Sequence, residues 1–182
     1  MRLETERLVL RRPRLEDAAA FYPHWQDPEA VEYVGGVKSR AEVDEMVERL
    51  LRHWEWYGLG EFTVERREDG AVLGRVGLQL WDPRDWTNGK RARLAGDVET
   101  ELGWKLGREH WSSGYATEAA LACRDWALAD LGLKRLISLI AFENVASIRV
   151  AEKIGESFER DVDNVPFRHR YGLWSLGERM AA

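Results

Sequence analysis

The stretch from Val98 to Ala141 constrains this chain more than any other. An apolar run ends near Leu106 and leads through Gly107 into Trp111 to Ala119 (WSSGYATEA). An alanine-rich stretch follows, closed by Gly132, and then a second apolar run from Arg135 to Ala141. Strand, helix and strand in this order predict a parallel pair joined by a right-handed crossover. Ligands in such sheets settle where the carboxyl ends of strands meet helix starts, which here is Leu106 to Thr117.

The remaining elements have to assemble around that unit. Leu8 to Arg11 reads as a first strand stopped by Pro13, and Leu15 to Trp25 as a helix with Ala18, Phe21 and Trp25 inward. Ser39 and Glu42 have the form of a capping box, after which Val43, Met46, Val47, Leu50 and Trp54 recur at helical spacing until Gly58 and Gly60. Glu61 to Arg66 and Val72 to Leu80 predict a hairpin turning at Glu68, Asp69 and Gly70. Trp81 to Arg93 reads as a surface loop or as a hairpin tip around Asn88 and Gly89. Val98 to Leu106 is a strand, Gly114 to Leu131 a helix, and Asn144 to Lys153 a last helix stopped at Gly155. Glu156 to Asp161 and Arg168 to Leu176 predict a closing antiparallel pair. The order gives an α/β (α+β mixed) fold, a central mixed sheet flanked by helices.

The 182 residues suit one domain, 1–182, with no room for a second catalytic one. No apolar run approaches the roughly 20 residues that span a bilayer, and the opening MRLETERLVLRRP lacks a signal-peptide core, so the expected location is the cytoplasm, away from membranes. The net charge of −5 argues against nucleic acid as a partner and for a cationic one such as an amine. The one cysteine, Cys123, sits mid-helix among Ala119, Trp126 and Ala127 and reads as core packing. His24, His53, His110 and His169 are scattered without metal-ligand spacing, so no metal is expected. Trp54, Trp56, Trp81 and Trp86 fall near element ends, where they serve as core and edge packing or line a pocket.

Backbone N–H groups at a helix start are free, and the helix dipole adds partial positive charge, so the turn can hold a diphosphate without a lysine. Gly114 permits close approach or positive φ, and Ala116 keeps the next turn slim. A serine and a glycine before a helix are equally an ordinary cap. A Walker A loop is excluded because no Gly-Lys-Ser/Thr follows, and a dinucleotide fingerprint because its three glycines are missing.

Two ordered motifs narrow the reading. Glu101, Leu102, Gly103, Trp104, Lys105, Leu106, then Trp111, Ser112, Ser113, Gly114, Tyr115, Ala116, Thr117, Glu118 and Ala119, resemble the acyl-CoA signature of the GNAT superfamily, in its RimJ/RimL-like branch. Asn144, Ser147, Arg149, Glu152, Lys153 and Gly155 resemble the branch's downstream pattern, N-x-x-S-x-R-x-x-E-K-x-G, and ETERLVLRRP resembles its first strand. Departures from the pattern are Ser112, where the branch usually has glycine, Trp111, where the wider superfamily has Gln or Arg, and Glu156, where an aromatic residue commonly stands.

The resemblance implies a mostly antiparallel sheet with one splayed parallel pair, the splay arising from a bulge in the strand that ends at Leu106. It implies acetyl-CoA as co-substrate, no metal, and a primary amine as acceptor, with a homodimer compatible. Gly103 to Leu106 would line the pantetheine arm, Trp111 to Thr117 would cradle the diphosphate, Asn144 would hold the pantetheine amide, and Arg149 and Lys153 would reach nucleotide phosphates. Asn144 followed by Ser147 is also a capping arrangement.

An amine can attack a thioester directly, so the protein must position, deprotonate and stabilise. Presenting a free amine of pKa near 10 at neutral pH costs roughly 4 kcal/mol. Glu101 is the candidate base, with Glu99 on the same face as its reserve; a solvated glutamate is the plain alternative. The superfamily's proton-donating tyrosine falls at Ala151, and the resemblance puts Ser147 in that role. Two other function classes remain, a non-catalytic acyl-CoA-binding module and a nucleoside-triphosphate binder.

Overall fold

The computed structural model of the chain describes residues 1–88, 98–163, 165 and 168–177. The strands are β1 (Arg2–Glu4), β2 (Leu8–Arg11), β3 (Glu61–Arg66), β4 (Val72–Asp82), β5 (Thr87–Asn88), β6 (Glu99–Leu106), β7 (Arg135–Ala141), β8 (Ser157–Val162) and β9 (Tyr171–Gly177). The helices are α1 (Asp17–His24), α2 (Pro28–Val31), α3 (Arg40–Tyr57), α4 (Tyr115–Ala129) and α5 (Val145–Lys153), with one 3-10 turn at Arg108–His110. The expected elements form, and β1, α2 and β5 are additions.

One sheet runs β1-β2-β3-β4-β6-β7-β9-β8, with β5 paired to β4. Every pairing is antiparallel except β6 with β7, whose only register partners are Glu101 and Ile137. The parallel pair therefore meets at one point and splays. The expected bulge is not the cause, because β6 keeps an unbroken register against β4 from Trp81↔Glu99 to Gly74↔Leu106. The hairpin tip is also displaced. Its turn lies between Asp82 and Thr87, with Trp86 at φ 52°, and Asn88 is already in a strand; residues 89–93 of that reading lie outside the described residues.

The small side chains of α4 explain its place. Ala119, Ala120, Cys123 and Ala127 are fully buried and pack with Phe62, Leu73, Val76 and Leu102 of the sheet. Each large side chain buried this way contributes roughly 1.5–3 kcal/mol. Burial also raises the Cys123 thiol pKa, so it stays a packing residue. The capping box of α3 is complete, Glu42 accepting from the Ser39 backbone N–H at 2.7 Å, and Gly58 ends the helix in the left-handed conformation. Alternation along β6 then divides its side chains. Leu102 and Leu106 join the α4 cluster, while Lys105, one residue out of phase with them, reaches α1.

Candidate active site

At the end of β6 the chain makes one 3-10 turn and two left-handed residues before α4 begins. Ser112 has φ 59° and Gly114 φ 80°. Gly114 is the N-cap of α4, and among the described residues no side chain caps the helix start. The N–H donors there and the helix dipole are the features on which the sequence reading based a diphosphate cradle. Ser112 holds a conformation that glycine adopts more cheaply, which accounts for glycine being usual there in the resembling branch.

The sequence reading missed Arg7. Its guanidinium donates to the Ser113 carbonyl at 3.0 Å, lies 4.6 Å from the Tyr115 ring centroid, and pairs with Glu118 at 2.7 Å. Burial works against ionising Glu118, but bonds from Thr5 and Arg7 outweigh it and hold the carboxyl below its ordinary range. The turn is thus clamped to the start of β2, and Glu118 is matched by a cation. An open groove of about 570 Å³ runs alongside, lined by Arg7, Gly114, Thr117, Leu121 and Lys153 among others. Arg149 is exposed on α5, on the same helix as Lys153.

The splay opens directly beyond Glu101. Ser138 Oγ of β7 donates to the Leu102 carbonyl at 2.7 Å, and Trp111 Nε1 donates to the Leu106 carbonyl at 3.2 Å. Even-numbered residues of β6 therefore turn their main-chain groups away from β4, and by the same alternation the N–H and C=O of Trp104 point into the gap. The Trp104 indole donates to Ser147 Oγ at 3.3 Å, leaving the serine proton free to donate elsewhere. Asn144 caps α5, its Oδ1 accepting from the Ser147 N–H at 3.1 Å. Of the four residues expected to line the arm, Lys105 has its ammonium turned to the other face. It donates to the His24 carbonyl at 3.0 Å, and burial, then the nearby Arg75, lower its pKa to about 7.

On that other face stands Glu101. Its Oε2 accepts from Trp81 Nε1 at 2.7 Å and its Oε1 from the Leu139 N–H at 3.4 Å, so it bridges β4 and β7 across β6. Burial pushes its pKa up to about 7, against the pull of Trp81 and Leu139. A Cβ on Gly103 would lie 3.8 Å from both the Glu101 carboxyl carbon and Glu61 Oε1, so two carboxyl groups flank this glycine. Glu61 is buried and paired with Arg75. The reserve base, Glu99, is engaged with Arg135 at 3.0 Å. No sequence pattern pointed to Trp81 or Glu61 as neighbours of Glu101. Trp81 and Trp86 pack with Ile137, Val162 and Leu173, so packing and a polar duty coexist in Trp81.

Glu156 is 4% exposed, and burial pushes its pKa up to about 8. Ser138 Oγ lies within donating reach of both Glu156 Oε1 at 3.1 Å and the Leu102 carbonyl at 2.7 Å. The shared serine joins β7 to β6 at the edge of the splay. Phe158 is half exposed and meets Phe142 and Trp174, and β8 begins at Ser157.

The chain resembles known proteins along most of its length. An N-acetyltransferase named p20 from Bacillus licheniformis is 29% identical over 164 residues, covering 87% of this chain and 83% of that protein. The crystal structure of an acetyltransferase from Agrobacterium tumefaciens str. C58 is 29% identical with a TM-score of 0.78, covering 98% of this chain and 95% of that one. RimL, a ribosomal L7/L12 α-N-protein acetyltransferase solved with coenzyme A, has a TM-score of 0.76 at 12% identity over 97% and 98% of the two chains, a likeness of fold alone. The acetyltransferase (GNAT) domain profile matches residues 7–157, and the chain is an acyltransferase that belongs to the GNAT family.

Proposed function

We propose that the protein transfers an acetyl group from acetyl-CoA to a primary amine by direct attack within a ternary complex. The observation that carries this reading is Glu101, a largely buried carboxyl with a pKa near 7 beside the opening of the splay. A base of that pKa is half ionised at neutral pH, where it accepts a proton while still being able to pass it on. Acetyl-CoA, when bound, supplies the activated thioester. The first turn of α4 and Arg7 hold the diphosphate end, with Arg149 and Lys153 nearby for the remaining phosphate charge. The Trp104 N–H, aimed into the gap, stabilises developing negative charge on the thioester oxygen. Asn144 keeps α5 in place and presents Ser147, whose free proton serves the departing thiolate. Glu101 stands beside the Glu61–Arg75 ion pair on the acceptor face, where it takes the proton of the bound ammonium.

The test is CoA release measured across a panel of amines that includes peptide N-termini, amino acids, polyamines and aminoglycosides. Turnover on at least one amine is expected, lowered by about 10²-fold or more in Glu101→Gln with acetyl-CoA affinity retained. Tight acetyl-CoA binding with no turnover on any amine supports the non-catalytic module instead. Competition by ATP but not CoA would remove both.

A further inference from the structure

Away from the splay, α1 and the 3-10 turn bring His24 against the adjacent pair Glu109 and His110, far from it in sequence. His24 Nε2 lies 3.2 Å from Glu109 Oε1, and His110 Nε2 lies 3.5 Å from the same oxygen. One ligand atom from each residue can be chosen so that all three lie within 4.8 Å of one another. A tetrahedral zinc ion with bonds of about 2.0–2.1 Å needs ligand atoms separated by roughly 3.3–3.4 Å. The two nitrogen-to-oxygen separations bracket that value.

The surroundings are built to hold this arrangement. His24 is 7% exposed, and its Nε2 faces the Glu109 carboxylate from a ring held in place by packing. Gly107 leaves the room for it. A Cβ there would stand 2.6 Å from His24 Cδ2, 2.7 Å from His24 Nε2 and 2.8 Å from Glu109 Oε2. Lys105 holds the His24 carbonyl, which fixes the end of α1 over the cluster. The Glu109 side chain is 60% exposed, so an ion can enter from solvent.

We infer that His24, Glu109 and His110 form a binding site for a borderline divalent transition ion, with zinc as the fitting case, that ties α1 to the segment leading into the diphosphate turn. Two imidazoles and a carboxylate suit zinc, cobalt or nickel and not magnesium, which demands oxygen ligands. Three protein ligands leave a fourth position for water. The scatter of histidines along the sequence hid the site, since the fold alone brings residues 24 and 110 together.

The experiment uses chelator-treated, tag-free protein of full length. Zinc chloride is titrated by calorimetry and cobalt chloride by visible absorption. Saturable one-to-one zinc binding is expected, together with the intense spectrum of four-coordinate cobalt and a zinc-dependent rise in Tm. Glu109→Gln, at a site open to solvent, and His110→Ala, at a partly buried one, should each weaken zinc binding by roughly tenfold or more, which is about 1.4 kcal/mol. Absence of saturable binding, zinc affinity unchanged in both variants, or equal affinity for magnesium would overturn the site.

Discussion

Trp81→Phe should move the acidic limb of the pH–rate profile toward higher pH. The Trp81 indole N–H donates to Glu101 at 2.7 Å and so stabilises the ionised carboxylate. A hydrogen bond to a charged group is worth about 1.5–3 kcal/mol, and one pKa unit is about 1.4 kcal/mol, so its loss raises the Glu101 pKa by roughly 1–2 units. The starting value is about 7, and the limb should therefore move to roughly 8–9. At pH 7 kcat/KM then falls by roughly fivefold to fiftyfold, and the deficit closes as pH rises past the displaced limb. The assay is initial-rate CoA release from pH 5.5 to 9.5 with one amine. The amine's own titration is common to both proteins, so the difference between the two profiles isolates Glu101. Trp81 also packs against Ile137 and Trp86. A packing defect alone would lower the rate by the same factor at every pH, and that result, or an unmoved limb, would refute Glu101 as the base.

Ser112→Gly relieves a left-handed serine worth roughly 1–2 kcal/mol but adds unfolded-state entropy, leaving a gain of about 0.5–1 kcal/mol, or a Tm higher by about 1–4 °C, read by calorimetry. Gly114→Glu places a carboxylate at the mouth of the α4 start and should weaken acetyl-CoA binding by about thirtyfold or more, whereas Gly114→Asn, which tolerates positive φ, should stay within about threefold; equal loss in both would make strain the cause. Glu156 has a folded pKa of about 8 against an ordinary 4.5, so its folded form holds the extra proton and stability declines as pH rises across that interval. The displacement is worth up to about 5 kcal/mol, and Glu156→Gln should remove roughly 2 kcal/mol or more of the decline seen by urea unfolding at pH 5 and pH 8; an unchanged difference would place the carboxylate in contact with water.

What the sequence made legible was carried by local chemistry. The α3 cap needs only Ser39 and Glu42, three residues apart, and the α4 start needs only a glycine followed by small residues, so both could be read from a window of one turn. The pairs that define the site's electrostatics span far more chain. Arg7 meets Glu118 and Trp81 meets Glu101 through the order of strands in the sheet, which no local period encodes. The register of β6 shows the same limit in another form. The resemblance implied a bulge, yet the observed splay follows from β6 and β7 sharing a single register pair while β6 stays regular against β4.

Two departures from the family pattern become informative once their costs are known. Ser112 keeps a left-handed backbone that glycine would hold with less strain, and Glu156 keeps a proton so that it can sit where an aromatic ring commonly packs. Both costs fall on segments that shape the proposed acetyl-CoA site. Ser112 bends the chain into the helix start, and Glu156 acts through Ser138 on the Leu102 carbonyl where β6 and β7 separate. A buried acid spanning that point ties the width of the splay to one protonation state. Deprotonation above pH 8 would put a charge beside Ser138 with little water to solvate it, and the strands would have to part to admit solvent. Stability should therefore decline from about pH 4.5 to 8, acetyl-CoA affinity should fall only as pH passes about 8, and Glu156→Gln should uncouple both from pH.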